Sequence, residues 1–424
     1  MSPKIWSAAL LLILASSAFA VVQGAKICHH CIVPGSDQER LDYIGKARAL
    51  LDIQRDGRTL LQGPKIEKFD LSPNQQVTCD FIEPDSEDPP NGMSPKLKCD
   101  ADINGVKVKV KVKYQNPILR DGLSIEPNDG IWGEMLSGRL LWALGFKTNY
   151  YFPVQLICRN CPTAPWRYTR LKLQLDGPVT NPEDQAFLSA PRVTLEIPDA
   201  EIVIKHDDTD IERTPHQGWS WDEFDVLTAT DERGAQLRAE RDALALIAAF
   251  IQHFDNKPEQ QALVCLHNAG TKHHPHCTEA MLELYDLGLT FGYGFVAVPD
   301  NLSGPDKARA KNEIRHYTQT SLRGFLAAPV WSDPKNCVTH IRYYQPGGSP
   351  ANKKISEAGR QLLLSRLKTL SDDDLKDLFT AGRVERRGEM IPDENGNGQR
   401  PVTISDWVKG FRTKLKQISE VKCL

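Results

Sequence analysis

The sequence of 424 residues lacks the features that mark several large classes of protein. No apolar run after residue 20 is long enough for a transmembrane helix. The formal net charge is only −3, which argues against a broad nucleic-acid-binding surface. There is no Gly-x-Ser-x-Gly elbow or Ser/His/Asp order to indicate a hydrolase, and there are no internal repeats. What remains is a globular composition on a chain long enough for two lobes with separate cores.

The first 20 residues are typical of a secretory signal peptide. Lys4 precedes an apolar run from Ile5 to Ala15, and the following segment ends in an Ala-x-Ala exit at Ala20. The apolar run is shorter than a typical transmembrane helix, so we expect cleavage after Ala20 rather than an uncleaved membrane anchor. The segment predicts an exported protein, periplasmic or extracellular.

All ten cysteines follow this segment, and an oxidising compartment makes disulfides their default state. Close spacing suggests four pairs, and a fifth is left by elimination, so we expect a disulfide-stapled fold. The expected pairs are Cys28–Cys31, Cys79–Cys99, Cys158–Cys161, Cys265–Cys277 and Cys337–Cys423.

The chain up to residue 215 is predicted to be rich in strands. Apolar spacing predicts a helix over 38–54, within an N-terminal extension at 21–65, and a helix over 129–144 that carries Glu134. Alternation and turn signals predict strands within 66–215. These strands are Gln76–Ile82, Lys96–Ala101, Val106–Lys113, Tyr151–Ile157, Tyr168–Leu175 and Arg192–Lys205.

The chain from residue 216 to 424 is predicted to be mostly helical. A stripe of apolar residues predicts one long helix over 232–253. Two of the shorter helices have N-cap candidates, Ser371 and Ser405. The shorter helices are expected over 306–324, 354–369, 372–381 and 406–418.

The strand after the Asn104-Gly105 turn alternates strictly between valine and lysine, from Val106 to Lys113. This places the valines on one face and the lysines on the other. Burying four adjacent cations would be prohibitively costly, so a solvated lysine face on an edge strand accounts for most of them. One lysine at the end of the strand could still point into a cleft.

Two acidic segments follow the long helix. The first is His253-Phe254-Asp255-Asn256-Lys257-Pro258-Glu259-Gln260, and the second is Asp286-Leu287-Gly288. Alone, the first segment is explained as a polar helix stop, because proline after a helix is ordinary. Its order relative to the lysine strand and the Glu134 helix favours a functional interpretation.

In these segments the chain resembles the protein-kinase fold, and looks most like secreted or atypical kinase-like proteins, including exported bacterial ones. The first segment matches the kinase catalytic-loop pattern His-Arg-Asp-Leu-Lys-Pro-Glu-Asn at five of eight positions. The second matches the Asp-Phe-Gly metal motif. The resemblance implies an α+β, two-lobed fold with a β-rich N-lobe over 66–215 and a mostly helical C-lobe over 216–424.

The resemblance also implies roles for the two acidic segments. Asp255 would orient the acceptor hydroxyl and take its proton. Lys257 would neutralise the transferred phosphoryl group. Asp286 would bind Mg²⁺, and Gln260 stands where the family has a metal-binding Asn.

Further roles are implied for residues before the long helix. Lys113, or Lys111 on the same face, would hold the α/β-phosphates of ATP and pair with Glu134. Lys96 ends a segment beginning at Gly92 that sits where a phosphate-covering hairpin would be. The chain departs from the family in having Phe254 instead of Arg and in lacking a Gly-x-Gly-x-x-Gly loop and an Ala-Pro-Glu motif.

The expected function is therefore an exported phosphotransferase that moves a phosphoryl group from ATP, with Mg²⁺, to a hydroxyl on a protein or small molecule. We expect no nucleic-acid partner. One alternative is a non-catalytic secreted module that keeps the kinase-like fold for binding.

A second alternative is a disulfide-rich, metal-binding extracytoplasmic protein. A dense histidine cluster has spacing that suits Zn²⁺ or Cu. A solvated loop between two disulfide-bonded cysteines is the favoured explanation. The cluster consists of His267, His273, His274, His276 and Cys277.

Overall fold

The computed structural model describes most of the chain after residue 30. The predicted signal peptide at 1–20 and Cys28 lie outside the described residues. The described residues are 31–53, 55–86, 89–90, 94–115, 130–206, 208–214, 216–226, 232–269, 276–292, 320–341, 352–393, 395 and 398–423.

Five strands close into a barrel: β1 (Gln75–Phe81), β2 (Lys96–Ile103), β3 (Val106–Tyr114), β4 (Tyr150–Cys161) and β5 (Val193–Ile204). Their order is β1-β2-β3-β5-β4, and β4 returns to pair in parallel with β1. Alternate residues such as Val110, Val112 and Tyr114 fill the barrel interior. Because side chains alternate along a strand, the lysines of β3 lie on the outer face.

The lysine strand is not an edge strand, because β3 pairs with β2 on one side and with β5 on the other. Burial rises along it: Lys107 and Lys109 are exposed, Lys111 is half-buried, and Lys113 is only 6% exposed. A solvated face therefore describes the first two lysines only. Lys113, the last lysine of the strand, is enclosed by elements that come from distant parts of the sequence.

Four helices lie before residue 190 in the described part of the chain: α1 (Asp37–Lys46), α2 (Gly130–Leu144), α3 (Pro165–Lys172) and α4 (Pro182–Leu188). Helix α2 is buried on nearly all sides. The strand predicted over Tyr168–Leu175 is wrong, because α3 occupies most of that segment. Pro165 begins this helix, where a missing N–H costs nothing. The β-rich half thus has more helix than the single internal one predicted.

The rest of the described chain is mostly helical, with short strands. The helices are α5 (Glu232–Ile251), α6 (Leu322–Ala327), α7 (Glu357–Lys368), α8 (Asp372–Ala381) and α9 (Ile404–Ser419). The strands are β6 (Thr209–Asp210), β7 (Gln261–Asn268), β8 (Cys277–Leu284), β9 (Trp331–Asp333), β10 (Val338–Thr339), β11 (Met390–Pro392) and β12 (Gln399–Pro401).

Helix caps test the predicted boundaries. Ser371 is the N-cap of α8, as predicted. The N-cap of α9 is Thr403 rather than Ser405, because Thr403 and Asp406 form a reciprocal capping box. Most of the helix predicted over 306–324 lies outside the described residues.

The described residues form two hydrophobic clusters. One fills the barrel, and the larger one joins α2 and α5 with the C-terminal helices. The mixed α and β composition is confirmed, while the two-lobed kinase arrangement and the boundaries at residues 65 and 215 remain predictions. In the described ranges we find no helix that is both long and apolar enough to span a bilayer.

Four of the five expected disulfides are present: Cys79–Cys99, Cys158–Cys161, Cys265–Cys277 and Cys337–Cys423. Cys31 is also disulfide-bonded, while its expected partner Cys28 lies outside the described residues. The last bridge spans 86 residues and ties the C-terminal end of the chain to the segment after α6.

Candidate functional site

A buried lysine lies between two carboxylates. Lys113 Nζ, at the end of β3, donates to Glu134 of α2, and donates to Asp286 Oδ1 at 3.1 Å. The side chains of Lys113 and Glu134 are 7% and 2% exposed, whereas that of Asp286 is 38% exposed. Three elements far apart in sequence thus meet at one ammonium group.

Close packing between glycines brings α2 to the Asp286 segment. A Cβ on Gly133 would lie 2.5 Å from the carbonyl oxygen of Gly288, so only glycine permits this approach. Thr290 Oγ1 also donates across this contact, to the carbonyl of Gly133 at 3.2 Å. Asp286 itself has φ +53°, a left-handed conformation that Asp tolerates better than most residues. Together these contacts place Glu134 beside Asp286.

The charges of this group reinforce one another. Burial alone would lower the pKa of Lys113, but the negative charges of Asp286 and Glu134 hold that pKa well above its usual range. Burial would raise the pKa of Asp286, yet the charge and hydrogen bond of Lys113 help to hold it well below its usual range. Lys113 is therefore cationic and Asp286 anionic at neutral pH.

Lys96 and Lys111 lie beside Lys113. Lys96 stands directly opposite Lys113 in the β2–β3 pairing, and Lys111 lies two residues before it on the same face. Burial, followed by the charges of the neighbouring lysines, lowers the pKa of Lys96 to about 7 and that of Lys111 to about 8. Gly92, at the start of the predicted phosphate-covering segment, lies outside the described residues.

A cavity of about 1260 Å³ opens over these strands. Its lining includes Lys96 and Lys111, and contains seven lysines against three acidic residues. Lys113 and Asp286 are not part of the described lining. The cavity is therefore positively charged, and its chemistry suits an anion.

The polar segment after α5 forms a second group. Asp255 Oδ1 lies 3.4 Å from Lys257 Nζ, and Gln260 Nε2 lies 3.5 Å from Asp255 Oδ2. Burial raises the pKa of Asp255, the charge of Lys257 opposes this effect, and the negative charge of Asp286 adds to it. Asp255 and Asp286 therefore interact electrostatically.

Backbone hydrogen bonds join the two groups. The N–H of Phe254 donates to the carbonyl of Leu289 at 2.9 Å, and the N–H of Tyr285 donates to that of Gln260 at 3.2 Å. His253 is fully buried beside this junction, and burial lowers its pKa to about 4. Neither of its ring nitrogens has a hydrogen-bond partner within the described structure.

The structure thus brings Lys96, Lys111, Lys113, Glu134 and Asp286 into one cluster. It brings Asp255, Lys257 and Gln260 into a second, adjacent cluster.

Sequence reasoning missed Glu201, which lies opposite Lys113 in the pairing of β3 with β5 and is 0% exposed. The available signal was an acid followed directly by Ile202 and Val203 within a predicted strand.

The histidine cluster does not form a metal centre in the described residues. Cys277 is bonded to Cys265, so it offers no thiolate. His267 and His276 are exposed, while His273 and His274 lie outside the described residues. One other group, Cys31, Asp210 and Glu212, has the spacing of metal ligands, but Cys31 is disulfide-bonded as well.

Comparison with known proteins adds little. No family model matches the chain, and no curated protein sequence matches it. One solved structure that it resembles is that of the proinflammatory kinase CtkA of Helicobacter pylori, at 11% identity and a TM-score of 0.36. The alignment covers 82% of this chain and 95% of that one.

Proposed function

We propose that the protein is an exported phosphotransferase with a two-lobed, kinase-like architecture, which moves a phosphoryl group from ATP to a hydroxyl acceptor. The observation that carries this proposal is Lys113, held between Glu134 and Asp286. Burying such charges costs free energy, and apolar residues would often stabilise a fold equally well. Strongly shifted pKa values grouped beside a cavity favour a functional site.

The residues present fit ATP and Mg²⁺. Lys96, Lys111 and Lys113 bring three ammonium groups together on adjacent strands, an arrangement suited to phosphate oxygens. Asp286 is ionised, and with the amide oxygen of Gln260 it would supply the oxygen ligands that Mg²⁺ prefers. When bound, Mg²⁺ would neutralise charge on the phosphates.

Asp255 is the proposed base. It would orient the acceptor hydroxyl and receive its proton as the new O–P bond forms and the bond to the leaving ADP breaks. Lys257 Nζ, 3.4 Å from Asp255, would lie beside the reacting groups and neutralise the transferred phosphoryl group. The acceptor is a hydroxyl on a protein or small molecule. The N-terminal segment and the disulfides support export.

Turnover of γ-labelled ATP tests the proposal. The wild type should transfer label to itself, to water or to added hydroxyl compounds in the presence of Mg²⁺. Asp255→Asn keeps the size of the side chain but removes the base, so the rate should fall by about 10²- to 10⁴-fold. Glu259→Gln, an exposed neighbour, is the matched control and should leave the rate unchanged. Wild-type protein that binds Mg-ATP without turnover would contradict the proposal and favour a non-catalytic binding module.

A further inference from the structure

Glu201 is a buried acid with an incomplete set of hydrogen bonds. Its side chain projects from the same face of the sheet as that of Lys113, its partner across the β3–β5 pair. Neither carboxyl oxygen has a hydrogen-bond partner among the described residues, and the same is true of Glu134 Oε2. Burying an ionised carboxylate that accepts no hydrogen bond destabilises the folded state by on the order of several kcal/mol, as burying an unpaired ion does.

Lys113, the cation opposite Glu201 in the strand pairing, already has other acidic partners. Lys113 is already bonded to both Glu134 and Asp286. Burial, followed by the negative charge of Glu134, holds the pKa of Glu201 well above its usual range. Glu201 interacts electrostatically with these charged and titratable groups: Glu134, Lys113, Lys111, Tyr151 and Arg383.

Two facing carboxylates have only acceptors, so one proton between them supplies the missing donor. We propose that Glu201 is a positioning residue, whose protonated carboxyl donates to Oε2 of Glu134 and holds Glu134 against Lys113. This inference rests on the proposed function only for its effect on nucleotide binding. The protonation state of Glu201 is a property of the protein alone.

The proton has a consequence for stability. The folded chain keeps a proton on Glu201 at pH values where the unfolded chain has released it, because the folded-state pKa is the higher one. Raising the pH above the unfolded value therefore destabilises the wild type. In Glu201→Gln the side-chain amide is a neutral hydrogen-bond donor at every pH, so this variant does not lose stability in the same way. The folding equilibrium constant of wild type relative to Glu201→Gln should fall about tenfold per pH unit between the two pKa values.

Difference infrared spectroscopy of the ligand-free protein at pH 7 tests the proton directly. Glu212 and Glu283 also have pKa values raised to about 7, so the measurement is wild type minus Glu201→Gln. We expect a protonated-carboxyl C=O band that the variant lacks. Identical spectra in that region would overturn the inference. So would a stability difference between the two proteins that does not change with pH.

Mg-ATP binding tests the positioning role. Glu201→Gln should bind like the wild type, whereas Glu201→Met, of similar size but without a donor, should bind about tenfold more weakly. Equal affinity of the Met and Gln variants would overturn the role. If the wild type binds no nucleotide, the proposed function fails, while the infrared result still decides whether Glu201 carries the proton.

Discussion

The lysines near the end of β3 differ from ordinary surface lysines because their neighbours set their charge. Lys113 is held cationic by Asp286 and Glu134, whereas burial and lysine–lysine repulsion bring the pKa of Lys96 to about 7 and that of Lys111 to about 8. A bound phosphate would restore full protonation of Lys96 and Lys111. Anion binding at this site should therefore be linked to proton uptake.

This linkage predicts the pH dependence of anion binding. Because Lys96 and Lys111 lose their charge above pH 7 and 8, affinity for sulfate, whose own charge is constant in this range, should be highest below pH 7 and fall as the pH rises from 7 to 8. Calorimetric titration measures this affinity. In Lys96→Met the affinity should begin to fall at a higher pH than in the wild type. Lys107→Met, which removes an exposed lysine outside the described cavity lining, serves as the control. Affinity that stays constant up to pH 10 would contradict the account.

At the scale of elements, α2 makes a close contact in which its Gly133 meets the backbone of the Asp286 segment. Gly133→Ala would force a Cβ to within 2.5 Å of the Gly288 oxygen. The helix must shift, so we expect a loss of about 1–3 kcal/mol in the free energy of unfolding, together with weaker Mg-ATP binding. Chemical denaturation and calorimetry measure the two effects.

Gly45→Ala is the control for this substitution. Gly45 lies in α1, and a Cβ there would meet nothing within 4 Å. Alanine in a helix is favoured over glycine by roughly 0.5–1 kcal/mol, so this variant should be no less stable than the wild type. Equal effects of the two alanines would show that the α2 contact is not tight.

The sequence predicted the local elements well where the periodicity was strong. The alternation that ends at Lys113, the buried helix with Glu134, and the long helix before His253 all appear close to their predicted bounds. Predictions failed where a distant partner decides the outcome. Pairing with β5 made β3 a central strand and placed Glu201 opposite Lys113, and no local pattern encodes that pairing.

At the scale of the whole molecule, the disulfides close loops of very different length. Cys337–Cys423 spans 86 residues and Cys158–Cys161 spans three. Loop-closure entropy predicts stabilisation of about 4.6 and about 1.6 kcal/mol respectively. Replacing the first pair by alanine should therefore destabilise the protein by about 3 kcal/mol more than replacing the second pair. Denaturant titration of the two double variants measures this, and a reversed order would contradict the entropic account.

The central claim is that Lys113, between Glu134 and Asp286, belongs to a Mg-ATP site. Thermal unfolding with and without saturating Mg-ATP tests it most directly, in the wild type, in Lys113→Met and in Lys107→Met. Lys107 lies on the same face of β3 but is exposed and outside the described cavity lining, so it controls for loss of a lysine. At 100 times the dissociation constant the ligand adds about 2.7 kcal/mol, which should raise the melting temperature of the wild type and Lys107→Met but not of Lys113→Met. No shift in the wild type, or an equal shift in Lys113→Met, would contradict the account.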